Sequence, residues 1–179
     1  VGLLHALYAL RGYMPSKPQL AREAIHIERE RLHEAVGSQD QIMAAHGGFN
    51  HITFLRDGEC SLRPMSLTAE RIEELNGSLM LFYTGIERIA SEIAGSYVPD
   101  IGSKERQLRA IIDMVDDGIS ILNSQKDITL LGELLHEAWK AKSEMSSIVS
   151  NPRIDEIYDR ARSAGAVGGK LLGAGGGGF

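Results

Sequence analysis

Gly168-Gly169-Lys170-Leu171-Leu172-Gly173-Ala174-Gly175-Gly176-Gly177-Gly178-Phe179 contains seven glycines in twelve residues. A flexible linker would be built of glycine and serine, without Lys-Leu-Leu before the cluster and Phe after it. Glycine adopts φ > 0 readily and lets backbone N–H groups come close to phosphate oxygens. The stretch is therefore expected to be a structured loop that follows a short strand over 168–172. It matches neither a P-loop nor a dinucleotide fingerprint, because no Lys-Ser/Thr follows and no helix begins there.

Working outward from this loop, the preceding chain reads as three helices, over 104–123, 128–147 and 152–164. Asp127 is expected to cap the second, and Gly165 to end the third. Ser78-Leu79-Met80-Leu81-Phe82-Tyr83 is apolar on both faces and predicts a buried central strand. A short helix is expected over 69–75, stopped by Asn76-Gly77. Further upstream, alternating runs over 50–56 and 59–63, joined by Asp57-Gly58, predict a hairpin. Ser16-Lys17-Pro18-Gln19 carries the signature of a capping box with an early proline, opening a helix over 17–35. Ser38-Gln39-Asp40-Gln41 repeats the Ser-x-x-Gln signature before a short helix ended by Gly47-Gly48. Residues 1–11 read as helical, closed by Gly12 and Pro15. Helices interleaved with a hairpin and a central strand point to an α+β fold in two lobes, 1–77 and 78–179.

The 179 residues carry 19 basic and 24 acidic side chains, a formal net charge of −5. That balance argues against a nucleic-acid or membrane-surface binder, since both need a basic surface. It does not argue against a small phosphorylated ligand, whose site needs only a few local donors. The single Cys60 cannot form an intramolecular disulfide and fits a reducing, cytoplasmic setting. The first residue is not Met, the first helical pattern is already under way at Val1, and Phe179 directly follows the glycines. These features read as a segment of a longer protein.

Two carboxylates stand out. At 100° per residue, Ala21, Ala24, Ile25, Leu32 and Ala35 share one face of their helix, and Glu28 falls among them. An inward carboxylate has to be paired, hydrogen-bonded or bound to a metal, because unpaired burial costs several kcal/mol. A structural ion pair, with Arg31 for instance, is the plain alternative. Asp40 lies in the first turn of its helix, where an acidic residue adds about 0.3–1 kcal/mol of stability whatever else it does. Together the two could divide phosphoryl transfer, one holding Mg²⁺ and one accepting a hydroxyl proton. The six histidines show no metal-ligand spacing, Trp139 reads as core, and no Ser/His/Asp or Cys/His arrangement can be assembled. Arg88 follows the Thr84-Gly85 break, a place for a ligand contact or a surface ion pair.

Taken together these segments resemble the GHMP kinases, the family of galactokinase, homoserine kinase and mevalonate kinase. Residues 165–179 are similar to the family's third motif. Gly37-Ser38-Gln39-Asp40-Gln41 is similar to the segment carrying the catalytic Asp of its sugar kinases, and Glu28 stands where those place a Mg²⁺-ligating Glu. Glu28-Arg29-Glu30, Gly47-Gly48-Phe49-Asn50, Phe82-Tyr83-Thr84-Gly85 with Arg88, and Ser150-Asn151 extend the resemblance to the bacterial heptose 7-phosphate kinases of that family.

The resemblance implies a two-lobed kinase using ATP and Mg²⁺, with a sugar or sugar phosphate as acceptor. It assigns Asp40 as general base, Glu28 as metal ligand, and Gly173, Ala174, Gly175, Gly176, Gly177 and Gly178 to the nucleotide phosphates. Gly47, Gly48, Thr84, Gly85 and Arg88 would face the sugar, in the sharpest version the C1 hydroxyl of D-glycero-D-manno-heptose 7-phosphate. Another acceptor, such as fucose or galactose, and a non-catalytic ligand-binding relative are the alternatives. The family's first motif and its Pro-x-x-x-Gly-Leu-Gly-Ser-Ser-Ala phosphate loop are not among the 179 residues, so these alone are expected to be inactive or nearly so.

Overall fold

A computed structural model describes residues 1–87, 90–96 and 98–179, which group into two units, Val1–Ser66 and Leu67–Phe179. In the first unit, α1 (Gly2–Leu10) is followed by a turn with Gly12 at φ 71°. Helix α2 (Lys17–His26) starts on Ser16, whose Oγ accepts from the Gln19 N–H at 3.3 Å, with Pro18 in the first turn. Its buried side chains Leu20, Ala21 and Ala24, with Ile42 of α3 (Gln39–His46), form the core where α2 and α3 pack together. Lys17 Nζ donates to the His46 carbonyl at 2.7 Å and so closes the far end of α3. Tyr8 donates to Glu23 at 2.5 Å, a bond that lowers the Glu23 carboxyl below its ordinary value.

The helix expected over 17–35 is shorter and changes character. From Ile27 to Arg31 it widens into a π-helical turn, with the Leu32 N–H bonded to the Ile27 carbonyl at 3.0 Å. His33, at φ 56°, then ends it. The helical part ends at Arg31, so Leu32 and Ala35 lie past it and are exposed instead of continuing the stripe. Ser38 does not act as the expected cap: its backbone is helical and its side chain bonds to no amide of α3. The hairpin is present, β1 (Asn50–Phe54) antiparallel to β2 (Cys60–Pro64) with Ile52 opposite Leu62. Gly58 supplies the φ of 87° that the turn requires, and Asp57 Oδ1 accepts from the Glu59 N–H at 3.0 Å.

The second unit opens with α4 (Ala69–Ser78), capped by Thr68 and running three residues past the expected stop. The break between units therefore falls before this helix and not after residue 77. The physical reason is Arg71. Its guanidinium donates to the carbonyls of Ile121 at 2.7 Å and Lys126 at 2.9 Å, and more weakly to Leu122 at 3.4 Å. These close the end of α6 (Glu105–Leu122), so α4 is tied to the helices that follow it.

The expected central strand over 78–83 is absent. Ser78 closes α4 and residues 79–83 are irregular, with Met80 and Leu81 80% and 68% exposed, because no strand among the described residues pairs with them. Nor do 168–172 form a strand. Helix α5 (Ala90–Gly95) and a 3-10 turn (Val98–Lys104) lead into α6, which packs against α7 (Thr129–Ser143). Asp127 Oδ1 accepts from the Thr129 N–H at 2.9 Å, as the sequence suggests for the start of α7. Helix α8 (Pro152–Ser163) is capped by Asn151 Oδ1, which accepts from the amides of Arg153 and Ile154, and Gly165 at φ 104° follows its end. The core of this unit gathers Ile93, Trp139, Met145, Val149, Ile154 and Leu171.

Hydrogen bonds from a charged donor contribute about 1.5–3 kcal/mol each, and an abandoned buried carbonyl adds a desolvation penalty. Arg71→Ala is expected to lower stability by about 2–3 kcal/mol, read as a lower urea midpoint. Arg71→Lys, which keeps the charge but cannot fork across three carbonyls, should recover only part of it.

Candidate active site

Glu28 sits on the π-helical turn and is half-buried. A π turn inserts an extra residue and re-aims the side chains it carries, and such turns recur at functional sites. Among the described residues Glu28 makes no ion pair, with Arg31 or any other cation, so the plain structural alternative is not what holds it. Its partner is neutral: Gln41 Nε2 donates to Glu28 Oε2. Gln41 is 6% exposed, and its Oε1 is a buried oxygen with no donor among the described residues.

Asp40 precedes Gln41 in the first turn of α3, exposed near the positive end of the helix. Its carboxylate has no hydrogen-bond or ion-pair partner among the described residues. The two acidic segments that the sequence pairs are thus joined through Gln41. The sequence marks Gln41 only as half of a capping box, and nothing in it separately signals burial beside Glu28. Among the described residues no three His, Cys, Asp or Glu side chains converge as a metal cluster. The oxygens present, a carboxylate without a cation and a carboxamide oxygen without a donor, are of the hard type that Mg²⁺ favours. Gly47 and Gly48 follow α3 at φ 67° and 78°, both exposed, with Asn50 Nδ2 donating to the Gly47 carbonyl at 2.7 Å.

In the second unit the glycine loop is ordered by backbone contacts. Gly173, Gly175, Gly176 and Gly178 all have positive φ. The Gly176 N–H donates to the Val149 carbonyl at 2.8 Å, and Asn151 Nδ2 donates to the Gly176 carbonyl at 3.2 Å. Lys142 Nζ, at the end of α7, donates to the carbonyls of Leu171 at 2.9 Å and Gly173. Thr84 donates twice to the Gly178 carbonyl, from N at 2.9 Å and Oγ1 at 2.8 Å, and the Gly178 N–H returns to Ile86 at 3.0 Å. Thr84 and Gly85, the latter at φ 74°, therefore lie beside the loop. The rings of Tyr83 and Phe179 pack against each other at a tilt of 44°, with centroids 5.2 Å apart, alongside them. Arg88 lies outside the described residues.

The glycines divide by environment. Gly175, Gly176 and Gly177 are buried, whereas Gly173 is exposed and Ala174 half-buried. The N–H groups of Gly176 and Gly178 are engaged, while those of Gly173 and Ala174 have no acceptor among the described residues. Lys170, just before the loop, is partly buried, and that burial lowers its pKa from the ordinary lysine value.

Residues 120–179 match the family described as GHMP kinases C terminal. The whole chain is 32% identical to the D-glycero-alpha-D-manno-heptose 7-phosphate kinase of Campylobacter jejuni, of which it covers 53%. It is 25% identical, over 92% of its length, to the bifunctional fucokinase/GDP-fucose pyrophosphorylase of Arabidopsis thaliana, of which it covers 16%. A crystal structure of a D-glycero-D-manno-heptose 1-phosphate kinase from Bacteriodes thetaiotaomicron superimposes with a TM-score of 0.71 at 26% identity, over 97% of this chain and 47% of that one. The chain thus spans about half the length of the heptose kinase relatives it matches.

A Cβ on Gly176 would lie 2.7 Å from Ile93 Cδ1, whereas one on Gly85 would meet nothing within 4 Å. Their φ values, 75° and 74°, are alike, so the pair of alanine variants controls for the positive φ. Gly176→Ala is expected to cost about 1–3 kcal/mol more than Gly85→Ala, in line with overpacking a filled core. Thermal unfolding of both variants checks this.

Proposed function

We propose that the protein containing this chain is a cytoplasmic, ATP- and Mg²⁺-dependent kinase that phosphorylates a sugar hydroxyl. The acceptor is the C1 hydroxyl of D-glycero-D-manno-heptose 7-phosphate. The observation that carries the reading is the Glu28 carboxylate, half-buried without a cation and joined through Gln41 to the segment bearing an unpartnered Asp40. Kinship with named heptose and fucose kinases gives this chemistry its direction.

In this reading Asp40 accepts the proton of the attacking hydroxyl and Glu28 is an oxygen ligand for Mg²⁺. Bound MgATP supplies the transferring phosphoryl group with part of its charge neutralised. Gly173 and Ala174 offer amide donors toward phosphate, while Gly175, Gly176, Gly177 and Gly178 fix the backbone that aims them. Gly47, Gly48, Thr84, Gly85 and Arg88 are assigned to the sugar. The similarity to a fucokinase keeps one second reading, the same chemistry on a different sugar.

Consumption of ATP by the full-length protein, measured against free hexoses, heptoses and their terminal phosphates, tests the acceptor. Turnover confined to heptose 7-phosphate is expected; turnover on fucose or galactose would instead support the second reading, and none at all would retire the kinase. Asp40→Asn is expected to reduce turnover by about 10²–10⁴-fold with nucleotide affinity retained. Unchanged turnover would remove Asp40 from the role of base.

A further inference from the structure

We propose that Gln41 is a positioning residue for the Glu28 carboxylate and that its buried Oε1 accepts a hydrogen bond from a water bound to the divalent cation. The inference rests on the reading of Glu28 as a metal ligand and adds a residue that reading does not require.

A buried carbonyl-type oxygen without a donor costs about 1–3 kcal/mol, and native structures hold few of them. Gln41 carries one although it is 6% exposed and sits in the first turn of a helix whose interior is otherwise apolar at Ile42. The amide cannot relieve this by turning over. Its Nε2 donates to Glu28 Oε2, and exchange of the two ends would set Oε1 against a carboxylate oxygen. Glu28 therefore fixes which way Gln41 faces, and Gln41 in return fixes one of the two carboxylate oxygens.

The pairing is also chemically selective. A lysine or arginine in this place would neutralise Glu28, whereas a carboxamide orients it and leaves its charge in place. Ligand carboxylates are commonly held by hydrogen-bonded neighbours of this kind, and loss of such a neighbour weakens metal affinity by about 10–100-fold. A water in the cation's shell is a strong donor and supplies what Oε1 lacks. The adjoining π turn fits the same purpose, since Leu32 N–H to Ile27 carbonyl and Glu34 N–H to Glu28 carbonyl, at 3.0 and 2.9 Å, set the backbone of Glu28 from both sides.

The test uses the full-length protein with a non-hydrolysable ATP analogue, titrated with Mn²⁺ while free Mn²⁺ is read from its EPR signal. Gln41→Met keeps the length and removes both polar ends. It is expected to weaken Mn²⁺ binding about 10–100-fold with little change in melting temperature, because removal of the orphaned oxygen offsets loss of the bond to half-buried Glu28. Gln41→Asn, one methylene shorter and unable to reach Glu28, serves as the second variant and should show the same loss. A residue that only supports the fold would give the opposite pattern, lower melting with unchanged Mn²⁺ affinity, and that result overturns the proposal. Glu28→Gln separates the two levels. Weakened Mn²⁺ binding in Glu28→Gln with none in either Gln41 variant overturns the role of Gln41 alone; no change in any of the three overturns the metal reading of Glu28 as well.

Discussion

The second unit depends on one close approach, the passage of the glycine loop against the turn between α7 and α8. A Cβ on Gly175 would stand 2.9 Å from the Val149 carbonyl oxygen, a distance that only the absence of a side chain relieves. Because the backbones meet there, Val149 becomes the most deeply buried side chain of the unit, and Leu171 and Ala174 complete the core around it. Asn151 serves both sides of the contact. Its Oδ1 caps α8 and its Nδ2 holds the Gly176 carbonyl, so the start of a helix and the course of the loop are set by one side chain. The same logic recurs at Gly168, where a Cβ would collide with the Gly132 carbonyl of α7. Glycine is required along this stretch first for packing, and loop geometry follows from that packing.

Local signals in the sequence translate well where the physics is local. Ser16, Asp127 and Gly165 mark helix ends because a side-chain oxygen or a positive φ satisfies groups a few residues away. Asp57-Gly58 makes its hairpin for the same reason. The run at 78–83 misleads because apolar residues report a tendency toward burial, whereas a strand also needs a neighbour for its backbone. Beyond the close of α4, the next long-range backbone pairing begins at Thr84, against Gly178. The stripe through Glu28 fails in a different way. Periodicity assumes 3.6 residues per turn, and the π turn from Ile27 to Arg31 breaks that assumption without any proline or glycine to announce it.

The candidate site shows the same division. Glu28 and Asp40 are legible as acidic residues at unusual positions, and the glycine loop as a composition no linker would have. What holds Glu28 is not legible. Arg31 is nearer in sequence and oppositely charged, yet the partner is Gln41, 13 positions away and uncharged. Such a contact is created by the packing of α2 on α3 and leaves no mark in either helix taken alone.

That choice of partner has consequences for the chemistry. Removing a carboxylate from water beside an arginine gives a stable pair whose net charge is zero, and a dication gains little from approaching it. Removing it partly from water beside a carboxamide gives a directed negative charge, costly by itself and strongly favourable toward a cation. The half-burial of Glu28 therefore has different meanings in the two cases, and the neutral partner selects the second. Asp40, one residue from Gln41 but exposed, stays open to water and needs no such support. Two carboxylates borne by neighbouring segments are thus placed in unlike surroundings, one oriented and partly dehydrated, the other free, which is the asymmetry that a division between metal ligand and proton acceptor requires.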